Sequence, residues 1–244
     1  MKSSIAKRSN CIVWIMVSLV FFASGGIHAQ HQNESIEPSP ELYPKATAQS
    51  QGMSQDALDA LARVVEGYYK KNLIVGAELL VIKNRRTVLH EVFGLSDREQ
   101  NKRMAPHTLF NIRSMTKPLT GVAIQILIDR GELKLDDTAS KYLKGFDNDQ
   151  SREITIELLL THRSGLPLTV FTTGSRQYTS LQAIANTAGE NGPEFTPDSK
   201  FWYSDAGSDA LGAIVETISG LSLDEFWNQH LLGPLGMDDT ICAI

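Results

Sequence analysis

Cysteine is scarce in this sequence, which contains only Cys11 and Cys242 among 244 residues. Cys11 lies in an N-terminal segment that we expect to be removed, so one cysteine would remain and an intramolecular disulfide is excluded. The six histidines are scattered, and neither a Cys-x-x-Cys nor a His-Glu-x-x-His motif occurs. The sequence therefore predicts no metal site and no cofactor.

A cluster of basic residues is also lacking, and the formal net charge is -5 at pH 7. Removal of the N-terminal segment would take away Lys2, Lys7 and Arg8 without loss of an acidic residue, which leaves a net charge of -8. An acidic chain without a basic patch is poorly suited to bind a polyphosphate backbone. We therefore exclude nucleic acid as a partner.

The longest apolar run, Cys11–Ala23, is shorter than the roughly 20 residues that a membrane-spanning helix requires. Basic residues precede it, and the small residue Ala29 suits cleavage before the next residue. We interpret residues 1–29 as a signal peptide, with an uncleaved anchor as the alternative, and predict a periplasmic or secreted protein without a stable membrane span. Residues 30–50 are polar and contain several prolines, and they are predicted to form a flexible leader.

Apolar periodicity divides the rest of the chain into one β region and a series of helices. Ser54 is a candidate N-cap for an amphipathic helix that continues to about Lys70. Two apolar runs with four polar residues near their junction follow it and predict a β-hairpin. The hairpin strands are expected near residues 74–82 and 88–93, and further helices near residues 114–130, 154–161, 180–188, 211–218 and 222–232.

A Ser-x-x-Lys motif formed by Ser114 and Lys117 opens the helix that follows the hairpin. Three-residue spacing on a helix brings the hydroxyl and the amine to one face, where the amine can accept the hydroxyl proton. Pro118 is tolerated only in a first helical turn, so Ser114 lies near the positive end of the helix dipole. The motif indicates covalent acyl transfer; an N-cap serine followed by an exposed lysine is the alternative.

His162 follows the helix predicted at residues 154–161. A histidine at a helix C-terminus complements the negative end of the helix dipole. We therefore predict a structural role for His162, with general-base catalysis as the less favoured alternative.

Five short motifs follow one another in residues 51–244. They are Ser114-x-x-Lys117-Pro118-Leu119-Thr120-Gly121, Gly131-x-Leu133-x-Leu135-Asp136-Asp137, Leu159-Leu160-Thr161-His162-x-Ser164-Gly165-Leu166, Tyr203-Ser204-Asp205 and Pro234-Leu235-Gly236-Met237. In this order they resemble the β-lactamase-related serine hydrolases, a superfamily of class C β-lactamases, DD-peptidases, D-amino-acid amidases and family VIII esterases. The resemblance implies an α+β fold with an antiparallel sheet flanked by helices and a mostly helical lobe.

By this resemblance, Ser114 is the nucleophile, Lys117 activates it, and Tyr203 relays protons to the leaving group. A nearby ammonium lowers a tyrosine pKa, which makes such a relay physically reasonable. Asp205 stands where the family commonly has asparagine, and we predict that it contacts the substrate. An ionised carboxylate offers only acceptors and adds negative charge, so it favours an ester, a peptide-like amide or a cationic substrate over a β-lactam.

The family's third motif, Lys-Thr-Gly or a His-x-Gly variant on a sheet strand, is absent from the residues after Tyr203. One oxyanion donor and the C-terminal strands of the sheet would then be missing, and loss of one such donor typically costs about 100- to 1000-fold in rate. We therefore expect a partial catalytic domain at residues 51–244. Its predicted function is an impaired serine hydrolase that forms an acyl-enzyme at Ser114 on an ester, amide or β-lactam.

Two other functions stay open for the same chain. The first is a penicillin- or peptidoglycan-binding relative that is acylated and does not release the acyl group. The second is a pseudoenzyme that retains the helical lobe without the chemistry. The sequence does not decide the substrate among β-lactam, ester and D-peptide, because the walls of the pocket determine it.

Overall fold

The computed structural model describes residues 43–106, 108–170 and 180–241. The predicted signal peptide, the first part of the predicted leader and Cys242 lie outside these ranges. Within them the fold combines one small sheet with a larger set of helices, as the α+β prediction requires. None of the helices in the described residues is long and apolar enough to cross a lipid bilayer.

The sheet is antiparallel and has the strand order β1-β2-β3. Its strands are β1 (Gly76–Lys83), β2 (Arg86–Asp97) and the short β3 (Lys102–Arg103). Helix α1 (Gln55–Lys70) precedes the sheet and contacts β1 and β2. Ser54 caps α1, because its side chain accepts a hydrogen bond from the amide of Ala57. The predicted hairpin and first helix are therefore confirmed, whereas β3 was not predicted.

The hairpin turn consists of Asn84 and Arg85, which both adopt positive φ angles, 52° and 57°. Two successive left-handed residues give a turn whose twist matches the right-handed twist of the flanking strands. Asparagine tolerates this conformation well, and the Asn84 side chain also donates to Gln51 at 3.2 Å. The polar segment between the two apolar runs thus closes the hairpin with a two-residue loop.

The described part of the chain begins inside the segment that was predicted to be a flexible leader. Lys45 forms a parallel bridge with Thr87 of β2, and the amide of Ala46 donates to the carbonyl oxygen of Thr87 at 2.9 Å. Ala48 is only 1% exposed and packs with Leu58 in a small core between α1 and the sheet. The predicted leader therefore extends too far, because residues 43–50 already belong to the described fold. They show no apolar periodicity, and main-chain pairing with Thr87 holds them in place.

The remaining described elements form the helical lobe. They are α2 (Thr116–Asp129), α3 (Ile156–Leu160), α4 (Leu181–Asn191), α5 (Asp205–Ser219) and α6 (Leu223–Trp227), which continues as a π-helical turn (Asn228–Leu232). All five helices were predicted, although α5 begins earlier than its apolar period indicated. Their main core contains the large buried residues Ile124, Leu127, Leu133, Leu143, Phe146, Ile154, Ile156, Leu159, Leu166, Ile214, Val215 and Phe226.

Helix α5 lies at the centre of this lobe and contacts α2, α3, α4 and α6. Ala206, Ala210 and Ala213 on α5 are completely buried. Small side chains allow neighbouring helix axes to approach closely, which is how one helix can contact four others. Gly212 shows the tightness of this packing, since a Cβ atom there would lie 2.9 Å from the Leu181 side chain.

A close backbone approach in the lobe joins α4 to the 3-10 turn Lys144–Phe146. A Cβ atom added to Gly145 would lie 2.1 Å from the main-chain oxygen of Asn186. The same Asn186 accepts a hydrogen bond from the amide of Gly145 at 2.6 Å through its side-chain oxygen. Because the obstacle is backbone, only glycine fits at this position without movement of α4.

We expect the substitution Gly145→Ala to lower the free energy of unfolding by about 1–3 kcal/mol, because α4 must shift to admit the methyl group. Urea denaturation followed by circular dichroism measures this change. The matched control is Gly67→Ala in α1, where no atom apart from the adjacent residues and the helix's own backbone lies within 4 Å of the new Cβ atom. That substitution should raise the free energy of unfolding by about 0.5–1 kcal/mol, because alanine favours a helix interior. Equal effects of the two substitutions would contradict the proposed close approach.

Candidate active site

A tight turn places Ser114 immediately before helix α2. The side-chain oxygen of Asn111 accepts a hydrogen bond from the amide of Arg113 at 3.0 Å, and Arg113 has a positive φ of 50°. Residues Arg113–Met115 then form a 3-10 turn that leads into α2 at Thr116. Ser114 is exposed at this junction. A non-glycine residue in the left-handed region is uncommon, and such residues cluster at functional sites.

Ser114 and Lys117 are brought together as their spacing predicts. The Nζ atom of Lys117 lies 3.4 Å from the Oγ atom of Ser114. Only 20% of the lysine side chain is exposed, whereas the serine faces solvent. The hydroxyl is therefore accessible to a substrate while the amine approaches it from the protein side.

The start of α5 is fixed by Ser204, whose side chain is almost fully buried. Its Oγ atom accepts a hydrogen bond from the amide of Gly207 at 2.9 Å and donates to the carbonyl oxygen of Pro167 at 2.7 Å. The amide of Asp205 donates to the carbonyl oxygen of Leu168 at 2.7 Å. These contacts join the α5 N-terminus to residues 167–168 and so fix the positions of Tyr203 and Asp205.

Helices α2 and α5 together bring all four predicted site residues into one cluster. The Nζ atom of Lys117 lies 2.5 Å from Oδ1 of Asp205 and 4.8 Å from the centre of the Tyr203 ring. The same amine lies 3.4 Å from Ser114 Oγ. The Asp205 side chain is 45% exposed, so one carboxylate oxygen binds the lysine while the group still faces solvent. The carboxylate predicted to contact substrate thus also contacts the predicted activating lysine.

The charges in this cluster shift the pKa values of Lys117 and Tyr203 in opposite directions. Burial alone would lower the pKa of Lys117, but hydrogen bonds to Asp205 and Tyr203 outweigh it and raise the pKa. Hydrogen bonding to Lys117, followed by hydrogen bonding to Ser114, lowers the pKa of Tyr203. Lys117 is therefore held as an ammonium at neutral pH, and the Tyr203 phenol is a stronger acid than usual.

His162 belongs to the cluster, where the sequence predicted a structural role at a helix C-terminus, with general-base catalysis as the alternative. Its ring centre lies 4.6 Å from that of Tyr203, and its Nδ1 atom accepts a hydrogen bond from the amide of Ser204 at 3.3 Å. Burial, together with the nearby Lys117 charge, lowers the pKa of His162. A neutral ring cannot complement a dipole by charge, so His162 supports Tyr203 by packing. Its place in the Thr161-His162 motif was the sequence signal for this role.

Asp209 is a second acidic residue of α5 that the sequence analysis missed. It lies four residues after Asp205, which places both carboxylates on one face of the helix. Burial, and then the negative charge of Asp205, raise the pKa of Asp209 to about 6, and Lys117 opposes this shift. The four-residue spacing was visible in the sequence, but the burial of Asp209 depends on helix packing.

The described ranges contain no group of three or more histidine, cysteine, aspartate or glutamate side chains placed to bind a metal ion. The chemistry that the cluster can support with its own side chains is proton transfer and nucleophilic attack. A hydroxyl, an ammonium and an acidified phenol in contact are the components of such a site.

The Beta-lactamase family model matches residues 61–242. Protein flp of Staphylococcus aureus (strain MW2) is 31% identical over 201 residues, which cover 77% of this chain and 39% of that protein. Esterase EstB of Burkholderia gladioli is 30% identical over 210 residues, which cover 76% of this chain and 52% of the esterase. The chain therefore spans about half or less of the length of these relatives.

A solved structure is similar in fold as well as in sequence. EstCE1, described as a hydrolase with promiscuous acyltransferase activity, superimposes with a TM-score of 0.66 and 27% sequence identity. The similarity covers 78% of this chain and 52% of EstCE1. The fold class predicted from the sequence motifs is thus confirmed.

Asp209 should make the stability of the protein depend on pH. A carboxyl whose pKa is raised from 3.8 to about 6 on folding stabilises the fold below pH 4, and this contribution is lost as the pH rises through 6. We therefore expect Asp209→Asn to raise the free energy of unfolding by about 1–3 kcal/mol at pH 7.5 and to change it little at pH 4. Urea denaturation at both pH values measures the difference.

The control for this experiment is Glu91→Gln, which neutralises an exposed carboxylate on β2. It should change the stability little at either pH. An equal effect of Asp209→Asn at pH 4 and pH 7.5 would show that the substitution acts through packing and not through charge.

Proposed function

The chain belongs to the beta-lactamase family, and from this premise we propose that it is a serine hydrolase that forms an acyl-enzyme at Ser114. The observation that carries the proposal is the contact of one amine, Lys117, with Ser114 at 3.4 Å and with the Tyr203 ring at 4.8 Å. The similar esterase EstB and the similar hydrolase EstCE1 support the reaction class. We propose an ester or amide as the substrate, and we place the protein in the periplasm or outside the cell on the basis of the predicted signal peptide.

Tyr203 is the favoured base for the first step. Because Asp205 stabilises the ammonium form of Lys117, a neutral lysine that could accept a proton is rare at neutral pH. The same ammonium lowers the pKa of Tyr203 and so increases the fraction of phenolate. A base is most effective when its pKa approaches the working pH, and the phenol is shifted in that direction. Lys117 then acts as an electrostatic partner of the base.

The reaction follows from these protonation states. The Tyr203 phenolate removes the proton of Ser114 Oγ as this oxygen attacks the carbonyl carbon of the substrate. Tyr203 then returns the proton to the leaving alcohol or amine, and an ester bond to Ser114 remains. A water molecule attacks that ester, loses its proton to Tyr203, and releases the acid while Ser114 is reprotonated. His162 holds the phenol in place by packing against it.

Nucleophilic reactivity of Ser114 is the first testable consequence. The protein should gain the mass of one phosphonyl group after incubation with a fluorophosphonate, and the Ser114→Ala variant should gain none. Intact-mass spectrometry measures both. A matched control is Ser140→Ala, a serine in the helical lobe that lies outside the cluster, and it should still form the adduct. Absence of an adduct on folded protein would contradict the proposal and favour the pseudoenzyme alternative.

Mass spectrometry after incubation with a penicillin tests the other alternative, a penicillin-binding relative. An acyl adduct that persists for hours would favour a penicillin-binding relative that fails to deacylate. Rapid turnover of a chromogenic ester would instead support hydrolysis, and the measured rate would test the predicted impairment.

The Tyr203→Phe substitution should lower kcat/KM for a chromogenic ester by about 100- to 10,000-fold, which is the usual contribution of a general base. Phenylalanine retains a ring for packing against His162 and removes only the hydroxyl. Tyr68→Phe is the matched control, because Tyr68 is exposed on α1 and outside the cluster. If the two variants hydrolyse the ester equally well, Tyr203 is not the base.

A further inference from the structure

We propose that neutral His162 is the positioning residue of the Tyr203 base, and that protonation of its ring releases the segment on which Tyr203 lies. The inference rests on the proposed function, because His162 affects the reaction only through Tyr203. An unperturbed histidine changes its charge between about pH 5 and pH 8, so this contact makes the reaction sensitive to acid. Three observations support the proposal: the contacts of His162, the tautomer that they require, and the charges around the ring.

The first observation is how His162 is joined to the residues that precede α5. Its carbonyl oxygen accepts a hydrogen bond from the amide of Trp202 at 2.7 Å. Its ring centre lies 5.9 Å from that of Phe201, in an edge-on arrangement, and 4.6 Å from that of Tyr203. Its Nδ1 atom accepts a hydrogen bond from the amide of Ser204 at 3.3 Å. One residue therefore contacts each of the four residues before α5.

The second observation is the tautomer that the contact with Ser204 requires. A main-chain amide can only donate, so the Nδ1 atom of His162 must be unprotonated where it accepts this hydrogen bond. In a neutral imidazole one nitrogen carries the proton and the other does not, which places the proton on Nε2. Protonation of the ring adds a proton at Nδ1, and two donors then face each other. The hydrogen bond to Ser204, the N-cap residue of α5, is lost.

The third observation is the set of charges around the ring. Burial lowers the pKa of His162, and the Lys117 ammonium on α2 lowers it further, whereas the Asp205 carboxylate on α5 opposes the shift. Arg163, the next residue in the chain, is paired with Asp198. Because the pKa of His162 lies below its usual value of 6.5, the ring is neutral at pH 7 and becomes charged only in acid.

NMR tests the contact without any need for turnover. The ring nitrogens of His162 are observed by nitrogen NMR and assigned by comparison with the His162→Asn variant. We expect the Nε2–H tautomer at neutral pH, a titration midpoint below pH 6.5, and a shift of the Ser204 amide resonance with the same midpoint. A proton on Nδ1 at neutral pH, or a Ser204 amide that does not respond to titration of the ring, would overturn the proposal.

The pH dependence of kcat/KM for a chromogenic ester tests the effect on Tyr203. Below the pKa of the Tyr203 base, kcat/KM should fall about tenfold per pH unit, because the phenolate fraction falls at this rate. Below the titration midpoint of His162, the decline should steepen towards about 100-fold per pH unit, because both groups must then be deprotonated. A decline that stays at about tenfold through the whole acid range would overturn the proposal.

The His162→Asn variant separates positioning from a merely structural role. Asparagine tolerates the left-handed backbone at this position, where φ is 54°, and its side-chain oxygen can accept the hydrogen bond from Ser204. Because asparagine does not titrate, the variant should lose the steep decline in acid. At pH 7.5 its kcat/KM should fall only about two- to tenfold, through the lost ring contact. A steep decline that persists in the variant would overturn the proposal, and a loss of about 100-fold or more at pH 7.5 would replace it with His162 as the base.

Asp209→Asn is the control for a second group that titrates in the same range, since the pKa of Asp209 is about 6. This variant should retain the steep decline in acid, and loss of the decline here would assign it to Asp209 and overturn the proposal. Circular dichroism at each pH establishes that the fold is intact. If the folded wild type hydrolyses no ester, the proposed function fails, and the NMR titration still decides whether His162 holds Ser204.

Discussion

The ion pair between Lys117 and Asp205 determines the protonation states on which the chemistry of the site depends. It joins α2 to α5 at 2.5 Å and stabilises the ammonium form of the lysine. A partly exposed pair of this kind contributes little to global stability, because water screens it and both side chains lose freedom. Its importance is therefore electrostatic and local. The fixed ammonium acidifies Tyr203 and lies beside Ser114, so one contact affects both the base and the nucleophile.

The packing of α5 makes this ion pair possible. Completely buried alanines, such as Ala206 and Ala210, let the helix lie close to several neighbours at once. Ser204 then fixes the first turn through contacts with the chain at Pro167. As a result, the Asp205 side chain is held where it contacts Lys117. The site is thus built from helix ends held by a rigid core, which limits how far its side chains can move apart.

Sequence patterns predicted the elements that depend on nearby residues. Ser54 caps α1, and the spacing of Ser114 and Lys117 correctly predicted their contact. The Lys117–Asp205 contact joins residues 88 positions apart and follows from the crossing of two helices, which no local pattern encodes. β3 was missed because a strand of two residues cannot show apolar alternation. The segment around Ala48 was missed because main-chain hydrogen bonds do not require particular side chains and so are not visible in the composition.

Aspartate at position 205 limits how the nucleophile can be activated. An asparagine there would leave Lys117 easier to deprotonate, and the lysine could then share the role of base with Tyr203. The carboxylate removes that option, since it holds the proton on the amine. Tyr203, whose pKa the same ammonium lowers, is then the group that takes the Ser114 proton in the proposed reaction.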